Sequence, residues 1–332
     1  MKNVYYPLAG MNYIIDSIPQ ILKNKHPEDK KEIILYLSAQ VNSYPHIGTL
    51  VNFISAFALA KQIKSTYNVH VKIRVELLES VTGKEETINE VKYYKNLMNV
   101  VDKNGTTICE KYLPYFKEIL NRLSTMDEIE YEIMFFYDYQ KHTLVRKSLL
   151  EVLDNADILG EVLNPKDGSI RLRFECPKCG LVDKHNHNLK VIHKSKDKII
   201  LENECPIHGK HRLTVTENNE ERFDMNVPLR YLVKAIYLIK SDKQNNTLSV
   251  IVDGGDWSGS KLSKRMYVGN AAYREYMKEG LINYSEFYNQ YGEIGFKRIY
   301  DEINLWVTDS KLFIRDYTIE YIDMILKGKN IN

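Results

Sequence analysis

Two short knuckles constrain this chain more than any other feature. The first is Cys176-Pro177-Lys178-Cys179-Gly180 and the second is Cys205-Pro206-Ile207-His208-Gly209. Each places two sulfur or nitrogen donors at the ends of a tight turn, with proline after the first donor and glycine after the second. Four such donors, two per knuckle, are the set that a tetrahedral zinc ion takes. The glycine frees backbone N–H groups to turn towards the thiolates. All four donors come from the protein, so the expected site is closed and structural; a catalytic zinc would keep a position open for water. The competing reading is a set of reduced, buried thiols without metal. His185, His187, His193 and His211 lie nearby, and each could stand in for His208. Cys109 stands apart and reads as a small core residue. With four cysteines in 332 residues the chain is not a disulfide scaffold.

The residues before the knuckles set out a second constraint. Residues 1–33 read as a helical extension ending in a charged stretch. The apolar run Glu32-Ile-Ile-Leu-Tyr-Leu-Ser-Ala-Gln40 suits a buried strand, and Asn42 to Pro45 break it. A long apolar segment from Gly48 to Lys64 predicts a helix, and the alternation from Val69 to Leu78 predicts a second strand. Strand, turn, helix and strand in this order open a parallel α/β sheet. The polar stretch from about residue 80 to 110 reads as an insertion. Tyr112 to Met126 predicts an amphipathic helix, Tyr131 to Tyr139 a strand, and Leu144 to Leu163 a helix. Leu248 to Gly255 predicts a buried strand ending in glycines. The expected divisions are a first core half with a helical insertion over 34–165, a zinc-ribbon module over 166–220, a second core half over 221–270 and a helical segment over 271–332.

Two motifs sit where a parallel sheet places ligand-binding groups. Pro45-His46-Ile47-Gly48-Thr49 lies between the first strand and the first long helix. His46 can donate to a phosphate, Gly48 lets a ring approach the backbone without a Cβ in the way, and the helix N-terminus favours an anion. The other motif is Ser260-Lys261-Leu262-Ser263-Lys264-Arg265, after a predicted strand and a Gly-rich turn. Its two lysines can close over a triphosphate. Taken singly, one is a proline-led turn with a surface histidine and the other a solvated basic loop.

Together, Pro-His-Ile-Gly-Thr and Lys-Leu-Ser-Lys-Arg resemble the two signature motifs of class I aminoacyl-tRNA synthetases, in the same order and the same contexts. The layout between them, with the Cys-Pro-x-Cys-Gly knuckle, is most similar to class I lysyl-tRNA synthetases. The resemblance implies a Rossmann-type, HUP-like catalytic core that uses ATP to turn an amino acid into an aminoacyl adenylate. Transfer to the 3′ end of a tRNA would follow. On this likeness His46 and Thr49 bond the phosphates, and Pro45 and Gly48 line the adenine side. Lys261 and Lys264 stabilise the leaving pyrophosphate, with Ser263 shaping their loop. Thr49 differs from the usual fourth residue of the first signature. The segment over 271–332 has room for a helical stem-contact element but not for that family's large anticodon-binding domain.

Weaker candidates surround these motifs. Gly255 and Asp256, with Asp253, end a predicted strand where a carboxylate can take ribose hydroxyls; a Gly-rich turn with solvated Asp is the other reading. Gln40 and Asn42 end the first strand and Glu76 lies on the second, where they could face the amino acid. The expected cofactors are ATP, Mg²⁺ accompanying it, and a structural Zn²⁺. A tRNA-independent ligase joining an amino acid to a small amine or carrier is the alternative, and a non-catalytic RNA-binding paralogue is another. The net charge of +2 neither demands nor excludes a nucleic acid. The mean hydropathy of -0.38, with no apolar run long enough to cross a bilayer and no secretory-type leader, makes the cytoplasm the expected compartment.

Overall fold

The computed structural model describes residues 26–136, 138, 143–163, 168–170, 172–185, 188–216, 239–242, 247–251, 281, 283–308 and 319–328. The chain is α/β, with a mostly parallel sheet and two antiparallel ones. Strand β1 (Glu32–Ala39) leads into helix α1 (Ile47–Tyr67), which returns to β2 (Val71–Leu77). A hairpin follows, β3 (Thr82–Ile88) and β4 (Val91–Asn96), and then α2 (Ile108–Asp127) and β5 (Glu130–Phe135). Helices α3 (Thr143–Asp154) and α4 (Ala156–Leu163) precede the short strand β6 (Leu181–Asp183). Strands β7 (Lys190–Lys194), β8 (Lys198–Cys205) and β9 (Gly209–Thr216) come next. Strands β10 (Ile239–Asp242) and β11 (Thr247–Ile251), then helices α5 (Tyr284–Thr308) and α6 (Ile319–Leu326), complete the described elements.

The main sheet has the order β10-β11-β1-β2-β5. Strands β11, β1, β2 and β5 run parallel, and β10 is antiparallel on the edge. Register explains the face assignments. Ile33, Leu35 and Leu37 of β1 share one face with Val71, Ile73, Val75 and Leu77 of β2, all in the main core. The opposite face is mixed, with Ile34 buried on it, and carries a polar row: Tyr36, Arg74 and Glu132 lie in one register row, with Arg74 bonded to both neighbours.

Helix α1 is apolar around most of its circumference, from Leu50 and Phe53 to Phe57 and Ile63, because it is covered on several sides. It packs on β1 and β2, under α2 and α5. The expected amphipathic helix is α2, entered through a capping box of Thr107 and Glu110. Helix α5 brings Phe287, Phe296, Ile299, Ile303 and Trp306 into the same core. Among the described C-terminal aromatics, Tyr284, Phe287, Phe296, Tyr300 and Trp306 are core residues, as expected. Gly292, at φ 58°, kinks α5 in a backbone region that side chains disfavour.

Three expectations are refined. The stretch read as an insertion is an antiparallel hairpin whose turn, Asn89-Glu90, has positive φ at both residues. The long helix expected to run to Leu163 breaks at Asn155, whose side chain bonds the Glu151 carbonyl at 2.8 Å. The knuckle module is divided between sheets: β6 adds to the hairpin in the order β3-β4-β6, while β7-β8-β9 forms a sheet of the module's own. Residues 1–25, most of the expected N-terminal extension, lie outside the described residues; Pro27–Asp29 form a 3-10 turn. No helix among the described residues is long and apolar enough to cross a membrane.

Candidate functional site

The knuckles converge. The ligand atoms of Cys176, Cys179, Cys205 and His208 all lie within 4.8 Å of one another. Cys179 Sγ is 3.6 Å from Cys205 Sγ, and His208 Nδ1 is 3.7 Å from the sulfurs of both Cys176 and Cys205. With Zn–S near 2.3 Å and Zn–N near 2.05 Å, a tetrahedron has S–S edges of about 3.8 Å and S–N edges of about 3.6 Å. The set therefore has the donors and the spacing to hold a metal such as zinc. Among the described residues His208 completes the group. His211 instead packs edge-on against Phe174 at 5.2 Å, and burial depresses its pKa. His193 is exposed beside Ser195, and His187 lies outside the described residues.

Backbone geometry makes each knuckle. Gly180 and Gly209 have φ of 71° and 74°, so each turn closes through a left-handed residue. The Cys176 N–H donates to the Leu181 carbonyl at 2.8 Å, and the Gly180 N–H returns to the Cys176 carbonyl at 2.8 Å. Burial opposes ionisation of Cys205, but N–H groups of Ile207 and His208 reach its sulfur and help hold its pKa below that of an ordinary thiol. For Cys179 burial wins, pushing the thiol up to about 11 against the Leu181 N–H. N–H groups aimed at sulfur in this way stabilise thiolate, the form that binds metal.

The second cluster lies at the carboxyl end of β1. His46 is the N-cap of α1, and its Nδ1 accepts the Thr49 N–H at 3.3 Å. An imidazole accepting at Nδ1 carries its proton on Nε2. Gly48 has a specific reason to be glycine: a Cβ there would lie 2.9 Å from His46 Cε1 and 3.0 Å from Nδ1. Its open space is taken by the imidazole itself. The loop before His46 is held from two directions. Tyr44 packs edge-on against Tyr112 and Tyr115 of α2 at 5.0 and 4.7 Å. The carbonyl of buried Pro45 accepts the Tyr284 N–H, at the start of α5, at 2.8 Å.

The remaining candidates fall in three groups. Gln40 and Asn42 are exposed where β1 exits, joined by a 3.2 Å bond from Asn42 Nδ2 to Gln40 Oε1. Glu76 is half-buried on the polar face of β2, in register with Ser38. Gly255, Asp256, Lys261, Ser263 and Lys264 lie outside the described residues. Cys109 is buried in the main core, as expected, with burial raising its thiol to about 11. One further carboxylate lies here: Glu79, buried just past the end of β2, accepts the Phe136 N–H at 2.9 Å. Its signal was position just past a strand end.

No protein-family model matches this chain, and no curated protein matches it.

Proposed function

We propose that this chain is an ATP-dependent ligase that activates an amino acid as its adenylate and passes it to an acceptor, with a tRNA 3′ end as the first candidate. The observation that carries the reading is the seat of His46. It caps a buried helix immediately beyond the carboxyl end of a central parallel strand. The parallel strands, in the spatial order β5-β2-β1-β11, place β1 where the chain reverses direction across the sheet. In open α/β sheets that point is where ligands bind. A Rossmann-type core would have such a switch point, and this supports the reading together with the two sequence motifs.

On this reading the N-terminus of α1 and the Nε2–H of His46 meet the ATP phosphates. Thr49 supplies a second donor there. By their likeness to the second signature, Lys261 and Lys264 stabilise the leaving pyrophosphate, and Ser263 shapes their loop. Pro45 and Gly48 border the nucleotide, and Gly255 and Asp256 serve the ribose. Gln40, Asn42 and Glu76 line the amino-acid side. Mg²⁺ enters with ATP. Zinc in the Cys3His set would be structural, because the protein supplies every ligand.

His46→Asn is the discriminating substitution. Asparagine is a good N-cap, so helix α1 keeps its start, while the imidazole donor is gone. Amino-acid-dependent pyrophosphate exchange should fall by roughly 10²–10³-fold, the cost of a lost charge-stabilising donor. An unchanged exchange rate would remove His46 from the chemistry.

A further inference from the structure

The four metal-ligand side chains come two from each of two sheets. Cys176 and Cys179 lead into β6, which pairs with β4 of the hairpin. Cys205 and His208 belong to the β8–β9 turn of the third sheet. We infer that Asn96 and Asn99 are positioning residues for the first knuckle, tying it through Glu175 to the start of α2 and the Tyr44–His46 loop. The inference rests on metal binding by the Cys3His set and not on the adenylate chemistry.

The contacts run without a gap. Glu175 immediately precedes the first ligand, and its Oε2 accepts Asn96 Nδ2 at 3.0 Å and also Asn99 Nδ2. On the other side of the knuckle, the Asn99 amide nitrogen lies 3.1 Å from where a Gly180 Cβ would be. So Glu175, just before the first ligand, is held by two side-chain amides, and Asn99 lies beside Gly180, just after the second. After β4, the Asn99 N–H bonds the Asn96 carbonyl at 2.9 Å. The next residue, Val100, accepts the N–H of Ile108, the first residue of α2, at 3.1 Å, and Val101 bridges to the N-cap Thr107. One turn on, Tyr112 and Tyr115 hold the Tyr44 ring, two residues before His46. Metal held across two sheets therefore loads the hairpin, and the hairpin carries the start of α2.

The test uses the full chain with zinc alone. Zinc affinity is measured by competition with a chromophoric chelator in the wild type, in Asn96→Ala/Asn99→Ala and in Glu175→Gln. Hydrogen–deuterium exchange is followed with and without chelator. All four ligands remain in both variants, yet affinity should drop about 10–100-fold in the double variant, the usual cost of losing groups that orient ligands. Glu175→Gln, which keeps the shape and loses the charge, should drop less but in the same direction, and it decides the matter if the double variant does not fold. In the wild type, chelation should raise exchange in residues 107–115 as well as in the knuckles; in the double variant the response at 107–115 should disappear. Affinity unchanged in Glu175→Gln, an exchange response confined to the knuckles, or no zinc bound by the wild type would each overturn the proposal. None of these readouts uses ATP, so loss of the ligase reading would leave them standing.

Discussion

At Gly48 stability and chemistry pull in opposite directions. Alanine is the better helix former by about 1 kcal/mol. Its Cβ, however, would sit against the His46 ring, which is a side chain able to swing away. Gly48→Ala is therefore expected to leave the melting temperature unchanged or slightly raised while pyrophosphate exchange falls at least tenfold. A variant with full exchange would show that the imidazole position does not matter. The sequence offered glycine at this position as room for an adenine ring; that its neighbour is the histidine of the same motif is a matter of rotamer, which a residue string does not carry. The Cys3His cluster was legible to the residue, because the C-x2-C and C-x2-H spacings fix local geometry by themselves. Cys176→Ser should lower zinc content and destabilise the knuckles, checked by metal analysis and thermal melting. One equivalent of zinc persisting in that variant would dismiss the ligand set.

Among the elements, β2 and α2 were readable from their hydrophobic period, and β1, α1 and β5 from apolar runs of strand or helix length bounded by breakers. The β3–β4 hairpin was not. Its strands, Thr-Gly-Lys-Glu-Glu-Thr-Ile and Val-Lys-Tyr-Tyr-Lys-Asn, are largely polar without a clean apolar alternation, and its turn uses Asn89-Glu90 where glycine is the usual signal. Strand β6, three residues long, is too short to show a period at all. Helix α2 gives a pH test. Glu110 accepts the N–H and hydroxyl of Thr107, each at 2.8 Å, and the backbone bond first, then the hydroxyl, holds its carboxyl below the usual range. A depressed carboxylate contributes stability above its unfolded pKa, and that contribution is lost as pH falls through the folded value. The melting-temperature gap between wild type and Glu110→Gln should thus be present at neutral pH and close in acid below the ordinary carboxylate pKa. A gap independent of pH would mean the charge is not what caps the helix.

For the whole molecule, Asp127 joins the early and late parts of the chain. Its side chain is fully buried at the end of α2, and it accepts from Lys61 of α1 at 3.1 Å and from the Tyr300 hydroxyl of α5. Losing it strands a buried hydroxyl, so Asp127→Ala should cost about 2 kcal/mol in urea denaturation. Urea stability equal to wild type would show that α5 docks through apolar contacts alone. No pattern in the sequence announced this pairing, nor the spatial order of the parallel strands, because both depend on contacts between residues far apart in the chain. The same limit applies to the meeting of the two signature motifs, which the account requires in one cleft. The most direct check is amino-acid-dependent exchange of pyrophosphate into ATP, scanned over the twenty amino acids and repeated with total tRNA. Exchange is expected with one amino acid or a few close analogues, and to be abolished in Lys264→Ala; no exchange with any amino acid, with or without tRNA, would contradict adenylate formation by this chain.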